Sequence, residues 1–106
     1  MVTLAIDTAT RSAGVALLQD ESILAEYYVR FRLTHSESVL PAIEAVLSAA
    51  GMSMGDVRVL ALTHGPGSFT GLRVGAGIVK GLALSTGGCI VGVSTLDALA
   101  QNLAFA

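Results

Sequence analysis

Apolar and polar positions change period several times along the chain, and each change marks an element. Val2-Thr3-Leu4-Ala5-Ile6 is a short apolar, β-branched run that stops at Asp7, the pattern of a buried strand. Ser12 to Leu18 reads as a second strand, and Gln19-Asp20-Glu21-Ser22 as the polar turn that ends it. From Ile23 to Leu33 the side chains alternate, with Tyr27, Val29, Phe31 and Leu33 on one face and Tyr28, Arg30 and Arg32 on the other. A period of two marks a half-exposed strand. The three strands together read as an antiparallel meander.

The period then lengthens. Val39, Leu40, Ile43, Val46, Leu47 and Ala50 recur at helical spacing and predict a helix near 36–50, closed by Gly51. Two starts fit. Thr34-His35-Ser36-Glu37 as a capping box leaves Pro41 at the seventh helical position, where it kinks the helix; Ser38 as N-cap leaves Pro41 in the first turn, where no amide is missed. Val57 to Thr63 is a buried fourth strand, Gly65-Pro66-Gly67-Ser68 a loop, Phe69 to Ser85 a helix and Gly88 to Val93 a fifth strand. Ser94, three residues before Asp97, caps a last helix. The order βββαβαβα is a meander followed by two right-handed crossovers. It predicts an α/β, ribonuclease-H-like lobe on a five-stranded mixed sheet, the unit repeated in actin-like ATPases.

Composition narrows the function. The 106 residues suit one domain, 1–106, and 53% of them are hydrophobic while 13% are charged, against about a quarter charged in an ordinary soluble domain. That balance excludes intrinsic disorder. A single cysteine, Cys89, excludes an internal disulfide and a multi-cysteine metal site, and its place in a buried strand makes it an inert core thiol. Two histidines, His35 and His64, leave little for a metal site, and a net charge of −2 speaks against charge-driven nucleic-acid binding by this chain alone. Mean hydropathy is +0.72, yet no run approaches the roughly 20 apolar residues of a membrane span. The start lacks the basic residues of a secretory signal, so the cytoplasm is the expected compartment. Eleven of the fourteen charges fall in residues 1–58, leaving Arg73, Lys80 and Asp97 for residues 59–106. A segment so poor in charge either forms the centre of the domain or packs on something outside it, and the ending favours the second in part. The apolar run Ala98 to Ala106 ends without Gly, Pro or a basic last turn, so the chain is read as one lobe of a longer protein.

Three places carry candidate chemistry. Asp7, followed by Thr8 and Thr10, stands where a carboxylate could hold a hydrated magnesium ion while the turn amides face a phosphate; the plainer reading is that Asp7 only caps its turn. Gly65, Gly67 and Ser68 form a strand-to-helix loop through which backbone amides could approach an anion, though without the Gly-Lys-Ser/Thr of a Walker loop. Gly71, Gly75, Gly77 and Gly81 lie in one predicted helix. Each costs about 1 kcal/mol against alanine, so close backbone contact should compensate. The contact is with the lobe's own sheet or with a helix of another subunit, with Ile43 and Leu47 beside it.

Ala5-Ile6-Asp7-Thr8-Ala9-Thr10, His35-Ser36-Glu37-Ser38-Val39-Leu40-Pro41, Gly65-Pro66-Gly67-Ser68-Phe69-Thr70-Gly71-Leu72-Arg73-Val74-Gly75 and Gly92-Val93-Ser94-Thr95-Leu96 resemble the N-terminal lobe of the TsaB (YeaZ) family, in order along essentially the whole chain. These are bacterial tRNA threonylcarbamoyladenosine biosynthesis proteins of the glycoprotease-like, actin-like ATPase superfamily. The resemblance implies a non-catalytic subunit that dimerises with and activates the TsaD transferase, with a TsaE-type ATPase acting on the assembly. It implies tRNA contact only through that complex, and homodimers through the same helical face when the subunit is alone. The joint would be formed by Leu40, Ile43, Leu47, Gly71, Arg73, Val74, Gly75, Gly77 and Ile78. TsaD carries its metal on two histidines; Thr95 and Leu99 stand in their places here, and neither replaces an imidazole nitrogen. No metal and no cofactor is therefore expected, with ATP bound only together with the partner or the second lobe of the family. Two other classes share the opening strand and aspartate. A magnesium-dependent ribonuclease-H-like or junction-resolvase nuclease needs further carboxylates near Asp7, where the fourth strand ends Thr63-His64-Gly65. The N-terminal lobe of a small-molecule kinase needs an adenosine loop and a catalytic aspartate from a second lobe.

Overall fold

The computed structural model describes residues 1–9, 12–30 and 35–98. Thr10, Phe31, Leu33 and the continuation of the last helix past 98 lie outside the described residues. Strands β1 (Val2–Asp7), β2 (Ser12–Gln19) and β3 (Ser22–Arg30) form the meander, α1 (His35–Ala50) leads to β4 (Val57–Gly65), and α2 (Phe69–Thr86) leads to β5 (Cys89–Ser94). The sheet runs β3-β2-β1-β4-β5. Its β1–β2 and β2–β3 pairs are antiparallel, and its β1–β4 and β4–β5 pairs are parallel. The architecture is the five-stranded mixed sheet of a ribonuclease-H-like, actin-like lobe.

Alternation along the strands divides the sheet into two faces. Leu4, Ile6, Val15, Leu17, Leu60 and Leu62 are buried on one of them, beneath Val39, Ile43, Val46 and Leu47 of α1 and Val79 of α2. Ile43 and Leu47, expected at a partner joint, are only 4% and 8% exposed. They are core residues, because the apolar stripe of α1 is needed to cover β2 and β3. The opposite face carries small and polar side chains, among them Ala5, Asp7, Gly14, Ala16, Ala61 and Thr63.

Helix boundaries follow local chemistry. α1 begins at His35, so Pro41 is its seventh residue, as the earlier of the two starts requires. Pro41 is exposed, on the solvent side of the helix. At the other end Gly51 takes φ +66°. The Met52 amide donates to the Leu47 carbonyl at 2.9 Å and the Gly51 amide to Ser48 at 3.1 Å, closing a Schellman motif. Gly87, at φ +72°, ends α2 in the same left-handed conformation. β3 departs from the expected half-exposed pattern: Tyr27 and Tyr28, on opposite faces, are both exposed, because β3 is an edge strand that α1 covers only in part. Cys89 is also exposed, at the start of the other edge strand, and is not a core thiol. Among the described residues no helix is long and apolar enough to cross a membrane.

Candidate functional site

The end of β1 and the loop before α2 are built into one another. Asp7 Oδ1 accepts the Ala9 amide at 3.0 Å, which closes an Asx-type turn, and also accepts the Thr63 hydroxyl at 2.8 Å. Thr63 comes from β4. The parallel register pairs Ala5 with Ala61 and Ile6 with Leu62, so the next outward-facing positions bring Asp7 and Thr63 together. Thr8 is fully buried and donates its hydroxyl to the Gly71 carbonyl at 2.7 Å. The Ser68 amide donates to the Ala9 carbonyl at 2.7 Å, and Ser68 Oγ accepts the Gly71 amide at 3.3 Å as the cap of α2.

Glycine is required where these two segments meet. A Cβ on Gly67 would lie 2.5 Å from the Ala9 carbonyl oxygen, and Gly65 takes φ +129° just before the cis bond to Pro66. The structure thus brings Asp7, Thr8, Gly67 and Ser68 into one interlock. The capping reading of Asp7 is realised in its geometry, and the Ser68 amide is already engaged by the protein's own backbone.

Beside this turn, an open groove of about 620 Å³ runs over the sheet face that α1 and α2 leave uncovered. Its floor includes Ala5, Gly14, Ala16 and Ala61, and its lining holds two carboxylates, Asp7 and Glu26. No group of three or more metal-ligating side chains occurs among the described residues. Thr95, in the first turn after β5, is buried, and its hydroxyl has no hydrogen-bond partner among the described residues. His64 is exposed, with its ring against Gly92.

The four glycines of α2 divide into two pairs. Gly71 and Gly75 are buried, and a Cβ on Gly75 would collide with Thr8 Oγ1 and approach Leu62 Cδ1 to 2.9 Å. That pair, expected on a partner surface, instead receives the β1 turn of its own lobe. Gly77 and Gly81 face open space. They lie on an exposed stripe with Phe69, Arg73, Lys80 and Leu84, where Phe69 is 73% and Leu84 88% exposed. The Arg73 guanidinium sits 5.5 Å from the centre of the Phe69 ring. Val74 and Ile78 are half-buried, and Leu40 of α1 is 49% exposed. Sequence reasoning identified Asp7 and the loop glycines. It missed Thr63 as the partner of Asp7, a pairing that only the β1–β4 register reveals.

A lobe of this topology, with an aspartate-ended first strand locked to a glycine loop, falls in the class of ribonuclease-H-like and actin-like folds. A family model described as "TsaD: tRNA N6-adenosine threonylcarbamoyltransferase" matches residues 31–106. The tRNA threonylcarbamoyladenosine biosynthesis protein TsaB of Escherichia coli (strain K12) is 45% identical over 99 residues, 93% of this chain and 42% of that protein. TsaB of Bacillus subtilis (strain 168) is 38% identical over 102 residues, 96% of this chain and 44% of that protein. The solved structure of YeaZ from Pseudomonas aeruginosa superposes with a TM-score of 0.88 at 36% identity, covering 95% of this chain and 46% of that one. A Thermus thermophilus RuvC structure, with a TM-score of 0.61 at 16% identity over 89% of this chain and 64% of that one, shares the fold alone. The chain belongs to the TsaB/YeaZ family and corresponds to an N-terminal fragment of its members. It spans about half the length of the curated relatives it matches.

Proposed function

We propose that the protein acts in the synthesis of tRNA N6-threonylcarbamoyladenosine as a non-catalytic subunit that binds and activates a TsaD-type transferase. The docking surface is the exposed stripe of α2, with Arg73 and Gly77 at its centre, Val74 and Ile78 along its edge and Leu40 contributed by α1. The observation that carries this reading is the stripe itself. Two large apolar side chains, Phe69 and Leu84, stand in water on a helix without any acid, and the open glycines Gly77 and Gly81 between them let a second helix approach closely. Ile43, Leu47, Gly71 and Gly75 support that surface from beneath and do not touch the partner.

The same face makes homodimers when the subunit is alone, since it is costly to leave wet. A TsaE-type ATPase acts on the assembled complex, and tRNA is reached only through it, in the cytoplasm. The absence of catalysis rests on Thr95 and Leu99, which offer no imidazole for a metal. ATP, if held, needs the partner or a second lobe, because the Asp7 turn is engaged by the protein's own backbone and the adenosine side of such a cleft lies elsewhere. A nuclease is disfavoured by the hydroxyl of Thr63 where a second carboxylate would stand beside Asp7.

Co-purification with TsaD-type and TsaE-type subunits, with and without ATP, tests the reading. Capture of the TsaD-type subunit by the chain is expected. No capture under any of these conditions, or magnesium-dependent cleavage of branched DNA by the purified chain, would contradict it.

A further inference from the structure

The turn at the end of β1 contacts α2 directly behind its exposed stripe. Gly71 and Gly75 are one turn apart on the inner side of α2, while Phe69 and Arg73 occupy the outer side of the same two turns. Into the notch left by the two glycines goes the Thr8 side chain, whose hydroxyl donates to the Gly71 carbonyl and abuts the Gly75 backbone, with Leu62 Cδ1 closing the notch from the sheet. One residue on, the Ala9 carbonyl holds the Ser68 amide and fills the space where Gly67 has no Cβ. The turn is in turn fixed to the sheet by Asp7, which binds Thr63 of β4 and the Ala9 amide. A chain of short contacts therefore runs from β4 through the turn into the first two turns of α2. Asp7, Thr8 and Ser68, which the sequence offered as a phosphate-type turn, are among its polar members.

We infer that residues 7–9 are a latch that sets the position and register of α2, with Thr8 as a positioning residue for partner docking. This rests on the docking reading given above. A helix whose start is held both by its preceding loop and by one of its own carbonyls moves with the sheet as one body. Phe69 and Arg73 are then presented in a fixed place. Without the Thr8 hydroxyl the glycine notch has nothing to fill it with a hydrogen bond, and the first turns of α2 become free to shift and fray.

The experiment compares the chain with its Thr8→Val and Thr8→Ser variants by amide hydrogen exchange and by calorimetric titration with a TsaD-type subunit. Valine keeps the branched shape and removes the donor; serine keeps the donor. In Thr8→Val, amides of residues 69–75 are expected to exchange about tenfold faster while those of β2 and β3 are unchanged, and the partner Kd is expected to rise about tenfold. Thr8→Ser should restore both to about the original values. Gly67→Ala attacks the latch from the loop side and gives the same pattern, which serves if Thr8→Val does not fold. Exchange that rises equally in every element, or not at all in α2, overturns the latch. Faster exchange in α2 with unaltered partner affinity overturns its link to docking. If the unaltered chain does not bind the TsaD-type subunit, the docking reading is what fails, and exchange in residues 69–75 alone then judges the latch.

Discussion

Asp7 shows how one carboxylate can be read in two ways from sequence, one of which the fold makes visible. In the primary structure it stands after an apolar strand and before two hydroxyls, as it would in a metal-bound phosphate site. In the fold its Oδ1 accepts two hydrogen bonds from the protein. Replacing it by alanine leaves the Thr63 hydroxyl and the Ala9 amide without their acceptor, and is expected to cost about 1–3 kcal/mol in a urea unfolding measurement. Gly75 makes the complementary point. Gly75→Ala forces a methyl group onto Thr8 and Leu62, and a loss of about 1–3 kcal/mol is expected from such overpacking. Gly77→Ala, at a position open to solvent, should instead gain up to about 1 kcal/mol from helix propensity. If the two substitutions had the same sign in a denaturant titration, the assignment of inner and outer glycines would be wrong. Glycine count and spacing were legible in the sequence. Which pair faces inward was not, because that depends on where the β1 turn meets the helix.

At the scale of elements, periodicity located every strand and both described helices to within a few residues, since each has a buried face that imposes its own period. Capping chemistry was legible in part: Gly51 stands where it closes α1, whereas Ser68, read as a loop residue, is the cap that opens α2. Ser68→Ala is expected to lower stability by about 1 kcal/mol through loss of the cap, measurable by thermal or urea unfolding. What periodicity could not supply was neighbour order. β3 and β5 are edge strands, so both faces of β3 are open at Tyr27 and Tyr28 where the alternation predicted only one, and Cys89 is exposed although its sequence context resembles that of a buried strand. Cys89 should therefore react with a maleimide at the rate of an accessible thiol in the native protein. Labelling that requires denaturant would show that β5 is covered. The short helical turn Met54–Asp56 before β4 also had no periodic signal, being only three residues long.

At the scale of the whole molecule, the uneven charge is the feature that connects fold to function. The charge-poor half supplies β4, α2 and β5, and only part of its apolar surface enters the core. Among the described residues, the rest includes the α2 stripe on one side, part of the groove lining over the opposite sheet face, and the exposed Ile90, Val91 and Leu96 in and after β5. The sequence left open whether this half is the centre of the domain or packs on something outside it, and resemblance pointed to a partner. It placed the contact partly on residues the core already uses, because an amphipathic helix does not announce which of its apolar residues exceed what its own sheet can bury. This makes two substitutions diagnostic. Leu47→Glu buries a charge in the core and is expected to unfold the chain, whereas Gly77→Glu places one on an open surface and leaves the fold intact.

The most direct measurement is a calorimetric titration of the TsaD-type subunit with the unaltered chain and with Gly77→Glu, each checked for an unchanged thermal midpoint. Saturable binding by the first and a loss of at least about a hundredfold in affinity by the second is the expected result, corresponding to about 2.7 kcal/mol. Equal affinity of the two proteins would contradict the assignment of the α2 stripe as the docking face.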